Sequence, residues 1–302
     1  MLNKNESLIE EAKKSKKLPN FIWAIVLSMI FIFGGQLIGL LATLPIYSAL
    51  NVIPYFKSNQ ELLFLLIQLL SFACISLLVF FRVTKIEKRK LSSIGFNKEN
   101  WLKKYLFGFI VGLAMMSLVV LILSLFGCIS VEANPNEPTG LSAILPILII
   151  LIGWIIQGGT EEVVTRGWLM NVLGARYNIV IGLIISSTLF GLLHLSNDNV
   201  SLVAILNIIL VGVLFGLYVI KTNDLWGACG IHSAWNFAQG NLFGFEVSGM
   251  DTSVGSLIDL NLVGNNFISG GKFGPEAGIV ATIVLLLGIF IIFILDKRGK
   301  FN

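Results

Sequence analysis

The chain of 302 residues contains only two histidines, His194 and His232. Both lie in the half that also places Glu161, Glu162 and Arg166 within or beside apolar runs, whereas the first three such runs carry no ionisable side chain. A charged group at the centre of a bilayer costs about 2.5–3.5 kcal/mol on insertion scales, so groups of this kind mark function by default. Glu162 and Arg166 are four residues apart with the acid first, the favourable order for a pair on one helix face. Arg166 can therefore neutralise Glu162, while Glu161 points about 100° away around the helix without that cation. An unpaired carboxylate in an apolar surround is a candidate general base. The structural alternative is a surface cluster in which both acids pair with Arg166 or Arg176 at the membrane boundary. Phe190 and His194, and likewise His232 and Asn236, are each four apart, so each pair shares a helix face.

The elements that must position these groups are membrane helices. The composition is 56% hydrophobic and 13% charged, with a mean hydropathy of +0.88, where a soluble domain carries about 25% charged residues. A helix needs about 20 apolar residues to cross the hydrocarbon core. Eight charge-free runs answer to that: 18–56, 62–81, 105–131, 138–160, 177–197, 199–220, 225–245 and 277–295. The expected fold is all-α and polytopic, with about eight transmembrane helices. In the first run the helix is expected near 21–46, with Pro45, Asn51 and Pro54 beginning a non-helical exit. The basic stretch before it reads as a signal anchor, because the apolar run is too long and lacks a small-residue cleavage site. Residues 129–140 and 246–276 read as solvated connections. Cys74, Cys128 and Cys229 stand singly in apolar surroundings and read as small hydrophobes. Nothing points to a nucleic-acid partner.

Of the 21 lysines and arginines, all but Lys57 and Lys272 fall on one side of an eight-span alternation. By the positive-inside rule that side is cytoplasmic and holds both termini. The chain then divides into a cytoplasmic basic tail (1–20), three N-terminal helices (21–140), a core of four helices (141–245), and a closing segment with an extracytoplasmic loop, a last helix and a cytoplasmic tail (246–302). Spans four and five can form a hairpin turning near Gly174 to Asn178. This brings Glu161 and His194 level, each roughly 24 Å along its helix from the turn. Arg166, Asn171 and Arg176 suggest that this end projects as an amphipathic helix. His232 sits shallower on the same ruler, which suggests that span five ends early, with Ser196 to Asn199 partly buried over a cavity.

In order along the chain, Glu161-Glu162-x-x-x-Arg166, Phe190-x-x-x-His194 and His232-x-x-x-Asn236 resemble the signature of the CPBP family, the CAAX-protease and bacteriocin-processing membrane proteins also called Abi. Gly212-x-x-x-Gly216-x-Tyr218 followed by Leu225-Trp226 is similar to the stretch joining the family's later motifs, and the likeness covers about residues 141–240. The resemblance implies peptide-bond hydrolysis within the membrane. Glu161 would activate water and His194 would orient it or share its proton. His232 and Asn236 would donate to the oxyanion, with Glu162, Arg166 and Phe190 in support.

On the cofactor the residues leave two answers. Zinc could take Glu161, His194 and His232 with water as fourth ligand. The absence of H-E-x-x-H and the commitment of Glu162 to Arg166 favour a metal-free site. The expected partners are the lipid bilayer and a peptide or protein substrate. The Ile-, Asn- and Lys-rich composition suggests a bacterial plasma membrane. A non-enzymatic immunity or scaffold protein that binds a peptide or partner is the alternative. A proton-coupled transporter is disfavoured because the polar groups do not recur in two matched halves.

Overall fold

The computed structural model describes residues 7–131, 137–252 and 254–300, so part of the 129–140 connection (132–136) lies outside the described residues. The fold is all-α and that of a multi-pass membrane protein. Among the described residues six helices are long and apolar enough to cross a membrane. They are α1 (Phe21–Asn51), α2 (Gln60–Ile86), α3 (Trp101–Leu125), α4 (Gly140–Arg176), α6 (Leu202–Thr222) and α8 (Ile279–Lys297). Two shorter helices, α5 (Ile179–Leu192) and α7 (Trp226–Phe237), occupy the remaining places in the order. Large apolar side chains such as Leu37, Ile110 and Phe290 stand exposed on outward faces, as a lipid-facing surface requires.

Of the eight runs expected as spans, those of α5 and α7 form helices shorter than the other six. The 14 residues of α5 rise about 21 Å, less than the hydrocarbon thickness. Its early end agrees with the depth argument. From Gly227 to Phe237 every residue of α7 is buried, so this helix has no lipid-facing stripe and its length is set by its neighbours. It begins inside the bundle, where Leu225 N–H donates to Gly95 O at 3.1 Å.

Three other expectations change. Helix α1 runs through Pro45 to Asn51 instead of ending near 46; Pro54 opens a separate short helix, Pro54–Ser58. The end of α4 is not a free amphipathic surface, since Val163 to Gly174 are buried against α2, α5 and the short helix Leu8–Lys13. The basic tail is therefore partly docked, with Leu8 N–H donating to Asn223 Oδ1 at 3.2 Å and Ser15 Oγ donating to Glu87 O at 2.8 Å. Finally, the 246–276 segment is folded into the protein: Val247, Ser256, Leu260, Ser269, Phe273 and Glu276 are buried. It fills the end of the bundle that α5 and α7 leave short. The strand β1 (Ile129–Val131) pairs there with β2 (Leu260–Leu262), antiparallel.

Helix α7 is held by α3 and α4 through small residues. A Cβ on Gly108 would lie 2.0 Å from Gly227 O, and one on Gly230 would lie 2.2 Å from Tyr105 O. On the α4 side, a Cβ on Gly158 would lie 3.0 Å from Ser233 N. Glycine at these crossings lets backbones approach and gain dispersion contact, the main source of helix association in lipid. Gly230→Ala should therefore destabilise the folded protein by about 1–3 kcal/mol. Gly159→Ala, whose nearest neighbour is Cys229 Sγ at 4.0 Å, should have little effect. Thermal unfolding of the two variants in detergent tests the contrast.

Candidate active site

Helix α4 delivers the first group of side chains. It passes through Gln157, Glu161 and Glu162, then widens into a π-helical segment over Val163–Leu169 before returning to α-helix. Such local widening often occurs at functional positions, because it shifts side chains that a regular helix would hold in other directions. Arg166 Nη1 donates to Glu162 Oε1 at 2.9 Å and to Thr165 Oγ1 at 2.7 Å. Both members of the ion pair have fully buried side chains. The surface-cluster alternative for Glu162 is therefore excluded by position. A single carboxylate does not satisfy a buried guanidinium, and aromatic rings also face it: its carbon lies 4.4 Å from the ring centre of Phe190 and 5.8 Å from that of Phe215. Gly212 on α6 makes room, since a Cβ there would come within 2.9 Å of Arg166 Nη2.

Helix α5 brings Phe190 and His194. The Phe190 ring meets His194 edge-on at 5.0 Å and His232 at 6.0 Å, so one aromatic ring touches both histidines and the guanidinium. His194 Nδ1 lies 2.8 Å from Phe190 O. A carbonyl can only accept, which assigns the hydrogen to Nδ1 and leaves Nε2 without that bond.

Helix α7 brings His232 and Asn236. His232 Nδ1 is 2.9 Å from Glu162 Oε1, and His232 Nε2 is 3.5 Å from Glu161 Oε2. The two neighbouring glutamates thus face opposite nitrogens of one imidazole. Asn236 Nδ2 donates to Gln157 Oε1 at 2.9 Å, and Gln157 Nε2 donates to Glu161 Oε1 at 2.7 Å. This relay positions the Glu161 carboxylate from the side opposite His232.

Glu161, Phe190, His194, His232, Asn236 and Gln157 all line one cavity of about 260 Å³. Glu162 and Arg166 lie behind its wall. Gln157 and Glu276 are among the lining groups that the motifs do not contain. Gln157 had a usable signal, an amide four residues before Glu161 in an otherwise apolar helix. Glu276 had none, because it lies in a Gly-, Asn- and Ser-rich segment. Its Oε1 accepts from Ser248 N at 2.6 Å and from Gln239 Nε2 at 3.1 Å, which pins the closing segment to the π-helical turn Ala238–Leu242 that follows α7.

For zinc, the ligand set read from sequence was Glu161, His194 and His232. Among the described residues no three His, Cys, Asp or Glu side chains converge as a metal site. Glu161 and His232 face each other, while His194 enters the cavity from another wall with its Nδ1 turned to its own helix.

These features define a class: a polytopic membrane protein with a polar, carboxylate- and histidine-lined cavity enclosed by helices. Residues 143–238 match the family model described as type II CAAX prenyl endopeptidase Rce1-like. Over that segment the chain is similar to this family, in agreement with the resemblance carried by the ordered motifs. Comparison with curated proteins and with solved structures found no match.

Removing one partner of a buried ion pair leaves an uncompensated charge, which costs about 3–5 kcal/mol. Arg166→Met should accordingly destabilise the protein by that amount, and Glu162→Leu combined with Arg166→Met should recover part of the loss. A double-mutant cycle on unfolding in detergent measures the coupling, and additive effects would contradict the pairing.

Proposed function

We propose that the protein is an intramembrane endopeptidase that hydrolyses a peptide bond of a membrane-associated protein or peptide, with Glu161 activating water. The observation that carries this reading is the unequal treatment of the two adjacent glutamates. Glu162 is consumed by Arg166 and His232. Glu161 is instead held by Gln157 with its carboxylate in the cavity, facing His232 Nε2.

In this mechanism Glu161 takes a proton from a water as the hydroxyl oxygen bonds to the scissile carbonyl carbon. The carbonyl π electrons pass to oxygen. Preorganised donors aimed at the developing oxyanion carry a large share of the barrier reduction in such reactions. Asn236 has a second N–H beyond the one given to Gln157, and His232 can donate from Nε2 once it holds a proton. His194 orients the water or shares its proton. As the C–N bond breaks, the proton held by Glu161 passes to the departing amine, so the carboxylate is regenerated. Glu162 and Arg166 keep His232 in one orientation.

The bilayer and a peptide substrate are the partners of this activity, and we place it in a bacterial plasma membrane on composition. The reaction is written without a metal. A purely binding role, as an immunity or scaffold protein, differs from it in one measurable respect: the carboxyl proton chemistry of Glu161 would be dispensable.

Glu161→Gln keeps shape and removes the base, so cleavage of a membrane-anchored peptide should fall by about 10²–10⁴-fold. Unchanged activity in a folded Glu161→Gln protein would defeat the mechanism. Gln157→Ala should lower kcat by about tenfold with little change in KM, since it loosens the carboxylate without removing it. Steady-state kinetics in detergent or proteoliposomes separates the two.

A further inference from the structure

The chain has six tryptophans, and four of them are buried or half-buried. Three of these four donate from the indole nitrogen: Trp154 Nε1 to Asn241 Oδ1 at 2.7 Å, Trp168 Nε1 to Glu87 Oε1 at 2.9 Å and Trp226 Nε1 to Asn97 O at 3.0 Å. The fourth, Trp235, is only 3% exposed, yet among the described residues its Nε1 has no acceptor. An indole nitrogen can only donate. A buried donor without an acceptor carries its full desolvation penalty, so such a group in a folded protein calls for a physical reason.

The position of Trp235 supplies one. It lies on α7 three residues after His232 and directly before Asn236, and all three side chains line the cavity of Glu161. Neighbouring donors on that wall are engaged within the protein: Asn236 Nδ2 with Gln157, Gln157 Nε2 with Glu161, and Asn197 Nδ2 with Ser248 O. Of the described residues that line the cavity, Trp235 is the one with a side-chain polar atom both buried and unpaired. Packing alone does not account for an indole here, because phenylalanine would fill an apolar wall without the unpaired N–H.

A peptide entering the cavity has the complementary need. Its backbone carbonyls leave water and must find donors, since a buried polar group without a hydrogen bond is costly. The Trp235 ring borders the cavity, so a carbonyl oxygen placed there is within reach of a modest rotation of the ring.

We propose that Trp235 is a substrate-binding residue whose indole N–H donates to a backbone carbonyl of the bound peptide beside the scissile bond. The bond forms on binding and is kept through the reaction, so it contributes to affinity and not to the chemical step. This rests on the peptidase reading above for the kind of ligand, though not for the unpaired donor.

Two measurements test it. Trp235→Phe keeps an aromatic ring and removes the donor. For an N-palmitoylated reporter peptide in detergent micelles, KM should rise about three- to tenfold, the worth of one hydrogen bond, with kcat changed less than about twofold. An unchanged KM in the folded variant would overturn the proposal, and so would a loss confined to kcat. The second measurement uses Glu161→Gln protein with Trp235 intact and its indole nitrogens isotope-labelled for NMR. The Trp235 resonance is identified by its loss in Trp235→Phe or, should that variant not fold, by elimination among the other five tryptophans. Saturating peptide should move the Trp235 N–H proton downfield, as a new hydrogen bond to a carbonyl does. A resonance that saturating peptide leaves in place would overturn the proposal. A downfield shift with no cleavage by the wild-type protein would defeat the peptidase reading while upholding Trp235 as the donor.

Discussion

The buried pair of Arg166 and Glu162 is the constraint on which the rest of the site depends. Both side chains are withdrawn from water and lipid, and a lone charge there would carry a desolvation penalty of several kcal/mol. The guanidinium must therefore find a carboxylate and a π face, and the carboxylate must find further donors. Phe190 supplies the face, and in doing so fixes the ring against which both histidines pack. His232 supplies a donor to Glu162, and in doing so turns its other nitrogen toward Glu161. Satisfying one ion pair thus orients three helices toward the same cavity.

That arrangement requires helices that do not behave like independent spans. Helix α7 can present His232 and Asn236 at depth because glycines on α3 and on α7 itself let backbones meet almost directly. Helix α5 can end at Leu192 because the closing segment occupies the vacated end and is tied to α6, where Asn207 Nδ2 donates to Glu276 O at 2.8 Å. Irregular backbone at membrane depth is tolerated where protein covers it or a wet cavity borders it. Around Asn197 and Ser248 the irregular backbone borders the cavity.

Much of this was legible along the chain. Ionisable residues are rare in so apolar a sequence, so Glu161, Glu162, Arg166, His194 and His232 stood out, and four-residue spacing paired Glu162 with Arg166 correctly. The six long helices were visible as charge-free runs, except that α4 continues from the end of its run at 160 to Arg176 and α1 continues beyond its proline. Gln157 was hidden only by neglect of its spacing to Glu161. The buried course of the 246–276 segment was hidden in principle, because glycine, asparagine and serine describe a tight packed turn and a solvated loop equally well.

What the sequence by itself determined is the set of chemical groups and the solvent they live in. Cost in a bilayer is a property of residue type, and it selects the same few side chains whatever the fold. Only the tertiary structure decided which group each one faces. His232 is shared between two glutamates, Gln157 links Glu161 to Asn236, and Glu276 joins the cavity wall from 115 residues beyond Glu161 along the chain. Those choices follow from where helices cross, and the crossings depend on close backbone contacts between segments far apart in sequence, which no local spacing encodes.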